Sequence, residues 1–389
     1  MSKKTNSKIF LVLLLGTLSA FGPFITDLYL PALPQMGTFF NTTASMTQLS
    51  LTTSVVGLSV GQLFIGPISD KFGRKLPLII SLVLYIISTI TIIFAKDINQ
   101  LIFLRAIQGL ASSGSVVISR AIATDLYRGR EMTRFFGLLM AVNGIAPVVS
   151  PVIGSLLLEI TDWRGIFIVL ALIGILLLMV CLGLKESLCT DNRLQGSILT
   201  SFRPFIHIIK NKVFMTFVGM QSFLVASFFG YLASSAFIFQ DFYKITALNY
   251  SLIFALNGIA IVIGVNIAAK MATRKALSIG IWGFLAATVF ISCILISKEN
   301  VLLLEIGFFI MMLCFGLVVP GSSSLAMDTE RQYAGSASAI LGFCPFFLGG
   351  IVSPLVGLGN LFYSTSFILV FFSILGVIAY RKVFHLIDN

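Results

Sequence analysis

Charge is what this chain has least of. Of its 389 residues only 11% are Asp, Glu, Lys or Arg, against roughly 25% in an ordinary soluble domain. A mean hydropathy of +1.02 with 57% hydrophobic residues leaves too few polar side chains to cover a water-facing surface. A water-soluble protein with an apolar core is therefore excluded. Histidine is nearly absent: His207 and His385 are the two, both outside the apolar runs. No H-E-x-x-H and no Ser/His/Asp set falls within an apolar run, so neither an enzyme nor a metal site is expected. The five cysteines make no C-x-x-C, and four lie inside apolar runs. They read as small membrane residues, not as disulfides or zinc ligands. The net charge of +11 is spread over short loops rather than gathered on one domain, so nucleic acid is not an expected partner.

What the chain does have is apolar runs, continuous and long, where barrel strands would alternate over roughly 10 residues. Twelve are counted, at about 9–29, 44–67, 77–95, 99–121, 134–158, 165–184, 213–238, 247–270, 276–297, 301–326, 333–357 and 361–380. Each is about long enough to cross a ~30 Å hydrocarbon layer as a helix. Lys3, Lys4 and Lys8 precede the first run as they would in a signal peptide. No A-x-A site follows, so the run is read as a membrane helix retained in the mature chain. With the N-terminus inside and the spans alternating, 21 of the 26 Lys and Arg fall on the inner side and four on the outer, with Arg105 inside a span. That bias places both termini in the cytoplasm.

One connection is long. Segment 185–212 divides the chain into an N-terminal half, 1–184, and a C-terminal half, 213–389. Ile198, Leu199, Phe202, Phe205, Ile206 and Ile209 recur in it at helical spacing, either as an amphipathic helix on the inner leaflet or as a plain linker. The halves repeat each other. Gly109-Leu-Ala-Ser-Ser-Gly114-Ser115 matches Gly316-Leu-Val-Val-Pro-Gly321-Ser322, Ser150-Pro151 matches Ser353-Pro354, and Arg74-Lys75 matches Arg274-Lys275, at offsets of 207, 203 and 200. A duplicated six-helix unit around a midplane cavity is a common transporter plan.

The hairpin G-Q-L-F-I-G-P-I-S-D-K-F-G-R-K-L-P over Gly61–Pro77 concentrates Asp70, Lys71, Arg74 and Lys75 between two apolar runs. Gly73 suits a turn that needs a positive φ. Gly57-x-x-x-Gly61 permits close helix packing. With Gly66, Asp70, Gly73, Arg74 and Lys75 in place, this stretch resembles motif A of the major facilitator superfamily. Arg105-Ala-Ile-Gln108-Gly109 resembles its motif B, and Gly144-Ile-Ala-Pro147 with Pro151 and Gly154 resembles the antiporter motif C. Asp27-Leu-Tyr29-Leu-Pro31, Arg120-Ala-Ile-Ala-Thr-Asp125-Leu-Tyr127 and Trp163-Arg164 resemble the Bcr/CflA drug:proton antiporters. Thr124 stands where a basic residue is expected, and Ala146 where a glycine usually precedes the proline.

The resemblance implies an all-α membrane protein with 12 transmembrane helices in two pseudo-symmetric halves. It implies proton-coupled export of small amphipathic drugs across a bacterial inner membrane by alternating access. A monomer is expected, driven by the proton gradient without a cofactor and set in the lipid bilayer. The alternative on the same fold is a carrier of an amino acid, peptide or siderophore. A channel is disfavoured, because no filter-forming ring appears.

Among candidate residues Arg105 is the sharpest. A charge inside a span is costly and usually faces the bundle interior. It either senses a carboxylate or substrate there, or snorkels to the outer interface. Gln108 shares its helix face. Asp27 is either a loop acid at the outer boundary or the protonation site. Glu305, opening its span, is expected at the interface. Tyr29, Asn143, Gln221, Asn257, Asn266 and Phe343 are candidate cavity residues, suited to a lipophilic substrate. Gating is expected of Gly66, Asp70, Gly73, Arg74, Lys75 and Asp125, and of a pliable fifth span with Gly144, Pro147, Pro151 and Gly154.

Overall fold

The computed structural model describes residues 7–127, 129–190, 193, 203–298, 300–330 and 334–388. Every regular element among them is helical. In hydrocarbon each backbone N–H and C=O must be satisfied within its own segment, and these continuous apolar runs do so as helices. Among the described residues eleven segments are long and apolar enough to cross a membrane, and Ile145–Ile160 is a shorter apolar stretch.

The first span departs from the single run expected over 9–29. Its apolar segment is Ile9–Phe39, broken into α1 (Lys8–Ser19), α2 (Phe21–Asp27), a 3₁₀ turn (Leu30–Ala32) and α3 (Leu33–Phe39). Pro23, Pro31 and Pro34 each remove a backbone donor from this stretch. The break after Asp27 leaves the last carbonyls of α2 without helical partners. Beyond it run α4 (Ala44–Phe72), α5 (Lys75–Ile93), α6 (Ile98–Leu126), α7 (Gly129–Ile160) and α8 (Trp163–Leu182). The second half comprises α9 (Arg203–Lys210), α10 (Lys212–Ala236), a π-helical turn (Phe237–Phe242), α11 (Ala247–Ala269), α12 (Thr273–Ser297), α13 (Val301–Thr329), α14 (Ala334–Val352) and α15 (Leu361–Asp388).

The chain forms two compact units. Unit 1 is Met1–Ala32 with Thr53–Phe202, and unit 2 is Leu33–Thr52 with Arg203–Asn389. The hairpin tip Leu33–Thr52, which lies inside the first half by sequence, thus belongs to unit 2. There the Ser45 hydroxyl donates to Pro354 O (3.0 Å) and Gln48 Nε2 to Ala233 O (3.0 Å).

Helix crossings within each unit carry the duplication. In unit 1 a Cβ on Gly57 would lie 2.4 Å from Ala106 O, and one on Gly109 would lie 1.9 Å from Ser54 O. In unit 2 a Cβ on Gly264 would lie 2.1 Å from Leu313 O, and one on Gly316 would lie 2.2 Å from Ile261 O. All four positions of the α4–α6 crossing reappear in the α11–α13 crossing at an offset of 207. Backbones this close admit hydrogen alone at the glycine. Of the helix foreseen in the linker, α9 holds the last part. It buries Ile208 and exposes Ile206 and Ile209, and residues 194–202 lie outside the described ones.

Candidate functional site

Unit 1 encloses a polar cluster built on α6. Arg105 is fully buried, so it does not snorkel to an interface. One guanidinium nitrogen donates to Gln108 Oε1 at 2.6 Å, one turn along the same helix. Another donates to Ile25 O at 3.1 Å, a carbonyl freed by the end of α2. The guanidinium carbon lies 4.6 Å from the centre of the Tyr29 ring and 5.8 Å from that of Phe167. This is a cation held by a fork of donors and by aromatic faces. Gln108 passes the network on, its Nε2 donating to Thr89 Oγ1 at 2.8 Å. Thr89 donates to Tyr85 O at 2.7 Å, and the Tyr85 hydroxyl donates to Leu170 O at 3.3 Å. Four elements, α2, α5, α6 and α8, are joined in this way.

Asp27 closes α2 two residues beyond the carbonyl that Arg105 grips. At 8% exposure it is buried, not a loop acid at the boundary. Among the described residues its carboxylate accepts from Thr26 Oγ1 (2.9 Å). Tyr29, fully buried, packs against Phe167 with ring centres 5.6 Å apart. Gly154 of α7 meets the same break, since a Cβ there would lie 2.1 Å from Leu28 O. Pro147 and Pro151 both lie inside α7. The fifth span is therefore deprived of two backbone donors close to the point where it touches the interrupted first span. Asn143 and Gly144 lie outside the described side chains.

The charged hairpin closes on itself and on the start of the linker. Gly73 adopts φ +89°, as its place in the turn requires. Arg74 is buried, and its guanidinium donates to Asp125 Oδ2 (2.9 Å), to Ser69 Oγ (2.8 Å) and to Asp70. Burial opposes the charge on Arg74, but its hydrogen bonds to Asp125 and Asp70 outweigh that and hold its proton above the ordinary guanidinium range. Lys75 Nζ donates to Leu182 O at the end of α8 (2.7 Å). Glu186 was not foreseen among the residues of this clasp. Its two oxygens accept the backbone N–H groups of Arg74 (2.9 Å) and Lys75 (3.2 Å), capping the start of α5 from across the unit. Ser187 donates to Asp125 Oδ2 at 2.8 Å. Gly66 meets nothing nearer than Val117, at 4.0 Å from an added Cβ, so it has no tight packing role.

In unit 2, Asn257 is buried and bonded to Tyr231 and Glu305. Glu305 is 9% exposed, correcting its expected place at the interface: its side chain turns toward α10 and α11. Gln221 is buried and accepts from Ser323 (3.3 Å). Phe343 is half-buried and stacks on Phe347. Asn266 is exposed and bonds its own helix at Val262 O (2.8 Å). Thr26, Thr89, Tyr231 and Glu186 are the polar partners missed by sequence reasoning. Thr89 stands among Ser81, Tyr85, Ser88 and Thr91 in its run, so nothing in the pattern set it apart.

Comparison with known proteins bears on this geometry. The family model described as Major Facilitator Superfamily matches residues 12–354. The uncharacterized MFS-type transporter YdgK of Bacillus subtilis is 37% identical, over 91% of this chain and 90% of its own. The bicyclomycin resistance protein homolog of Haemophilus influenzae is 26% identical, over 92% of this chain and 90% of its own. Among solved structures, a D-xylose-proton symporter superposes with a TM-score of 0.76 over 97% of both chains at 15% identity, a likeness of fold. The chain belongs to the major facilitator superfamily, with drug-resistance proteins among its relatives, and is a multi-pass membrane transporter rather than an enzyme.

Proposed function

We propose that this transporter exports small amphipathic drugs across a bacterial cytoplasmic membrane in exchange for protons, by alternating access, with both termini in the cytoplasm. The observation that carries the reading is Asp27, buried at 8% exposure in the interrupted first span, two residues from the carbonyl that holds Arg105. A proton exchanger needs a group that changes charge when its surroundings dry out, and an isolated carboxyl among apolar side chains is such a group. Arg105, Tyr29 and Gln108 form a wall through which its charge state reaches α5, α6 and α8. A lipophilic substrate suits the apolar surroundings. The proton gradient supplies the energy and no cofactor takes part. The Gly73–Lys75 clasp with Asp70, Asp125 and Glu186 gates the cytoplasmic end, and α7 flexes at Pro147, Pro151 and Gly154. The protein works as a monomer.

The bicyclomycin resistance protein homolog gives the first probe. In a host lacking its own efflux pumps, expression of this chain should raise the tolerated bicyclomycin concentration, and a protonophore should abolish the gain. Asp27→Asn should abolish drug-driven proton release in everted vesicles while inserting at the normal level. Full activity in that variant would remove Asp27 from the mechanism. Proton flow in the same direction as the substrate would replace export by metabolite uptake.

A further inference from the structure

Unit 2 holds an acid that the export reading leaves without a task. Glu305 sits on the fifth residue of α13, and its Oε2 accepts from Asn257 Nδ2 at 3.2 Å. The same amide nitrogen donates to the Tyr231 hydroxyl at 3.0 Å. Aromatic rings wall the cluster. Tyr231 lies 5.8 Å from Phe254, nearly parallel to it, and 4.6 Å from Phe308, centre to centre. Two buried acceptors are left over among the described residues, Glu305 Oε1 and Asn257 Oδ1. A carboxylate buried with one hydrogen bond and an empty oxygen is costly. Two idle acceptors on adjoining groups lack one thing, a hydrogen to share.

Among the described residues the surroundings supply no cation for the purpose. The titratable groups close by are the phenols of Tyr231 on α10 and Tyr250 on α11, the latter bonded to Ser235 at 2.9 Å. Lys212 of α10, Asp241 after it, and Arg274 and Lys275 of α12 stand at helix ends, while Cys293 of α12 and Cys344 of α14 are free cysteines. Lys298, which leads into α13, lies over the Phe242 and Phe362 rings instead.

We infer that Glu305 is a proton-binding site of unit 2, with the Asn257 amide as the element that registers its charge. A proton taken from water neutralises the carboxylate and turns one of its oxygens into a donor. With the carboxylate charged, Asn257 Nδ2 serves both it and Tyr231. With the carboxyl neutral, the amide turned over accepts from Glu305 and from the Tyr231 hydroxyl at once, and the idle Oδ1 is used. Each orientation suits one charge state. On the export reading above, on which its role in transport rests, this is a second coupling proton, carried by the half of the duplicated chain that lacks Asp27.

The test reads protonation directly. Purified protein in lipid nanodiscs is titrated with acid and followed by infrared difference spectroscopy in the carboxylic C=O region. The expected result is a neutral-carboxyl band that Glu305→Gln removes, that Asp27→Asn and Glu330→Gln leave in place, and that Asn257→Leu shifts in frequency. Uniform ¹³C-carboxyl labelling of glutamate should move the same band in the unmutated protein, which keeps the test open if a variant misfolds. A spectrum unchanged by Glu305→Gln, or a wild-type protein without a glutamate band at any pH, overturns the site. In proteoliposomes with the membrane potential clamped, loss of one of two coupling protons lowers the accumulation of a neutral drug about tenfold per pH unit of gradient. A wild-type protein that moves no protons would sink the export reading, while the spectrum would still decide the site.

Discussion

A hydroxyl carries one hydrogen, and Thr26 has three acceptors competing for it, Gly22 O at 3.1 Å, Pro23 O at 3.5 Å and Asp27 Oδ1 at 2.9 Å. When Asp27 is ionised the hydrogen goes to the carboxylate. When Asp27 carries a proton it can donate to Thr26 instead, and the threonine hydrogen returns to its own helix. Thr26→Val deletes this exchange, whereas Thr26→Ser keeps it. An unmet buried polar group costs about 1–3 kcal/mol, so Val should slow proton-coupled transport in everted vesicles by roughly ten- to a hundredfold, and Ser by little. Arg105→Lys tests the fork. Lysine keeps the charge but cannot serve Gln108 Oε1 and Ile25 O while lying flat on Tyr29. It should insert normally and lose more than about tenfold in transport, because each lost bond to a charged donor is worth about 1.5–3 kcal/mol.

Packing is decided where helices cross. Gly109→Ala and Gly316→Ala each drive a methyl into a carbonyl about 2 Å away, with backbone on the far side and nothing flexible to yield. Each should cost at least the ~1–3 kcal/mol of an overpacked core, seen as a lowered melting temperature in detergent. Gly66→Ala should leave melting unchanged, since its nearest neighbour stands 4.0 Å from the added carbon. Gly73→Ala forces a side chain into φ +89° and toward Glu186, at about 1–2 kcal/mol for the backbone alone. Much of this was legible in the residues. The duplication follows from small residues that recur between the halves, the close approach at Gly57 from Gly57-x-x-x-Gly61, and the positive φ at Gly73 from its place in the charged turn. Glu305 was misread because its place near the start of a span fixes depth but not direction, and its side chain turns inward to Asn257. The break after Asp27 was hidden because the apolar run continues past Pro31 to Phe39. Glu186 was illegible because its hydrogen-bond donors are backbone groups, which leave no mark in a sequence.

At the scale of the whole chain, the distribution of Lys and Arg predicts topology. A reporter that fluoresces only in the cytoplasm should light up when fused after Asn389, and one that needs export should work when inserted beside Lys244 or Lys298. The opposite pattern would invert every side assignment made here. The carboxylate of Glu186 has a further consequence. It pins the first residues after α8 to the opening turn of α5, so unit 1 carries its own closure as far as residue 190. Coexpressed polypeptides divided beyond Arg193 should therefore reassemble into an active carrier. A division ahead of Glu186 should give a first fragment whose charged turn is undone, and that cells degrade.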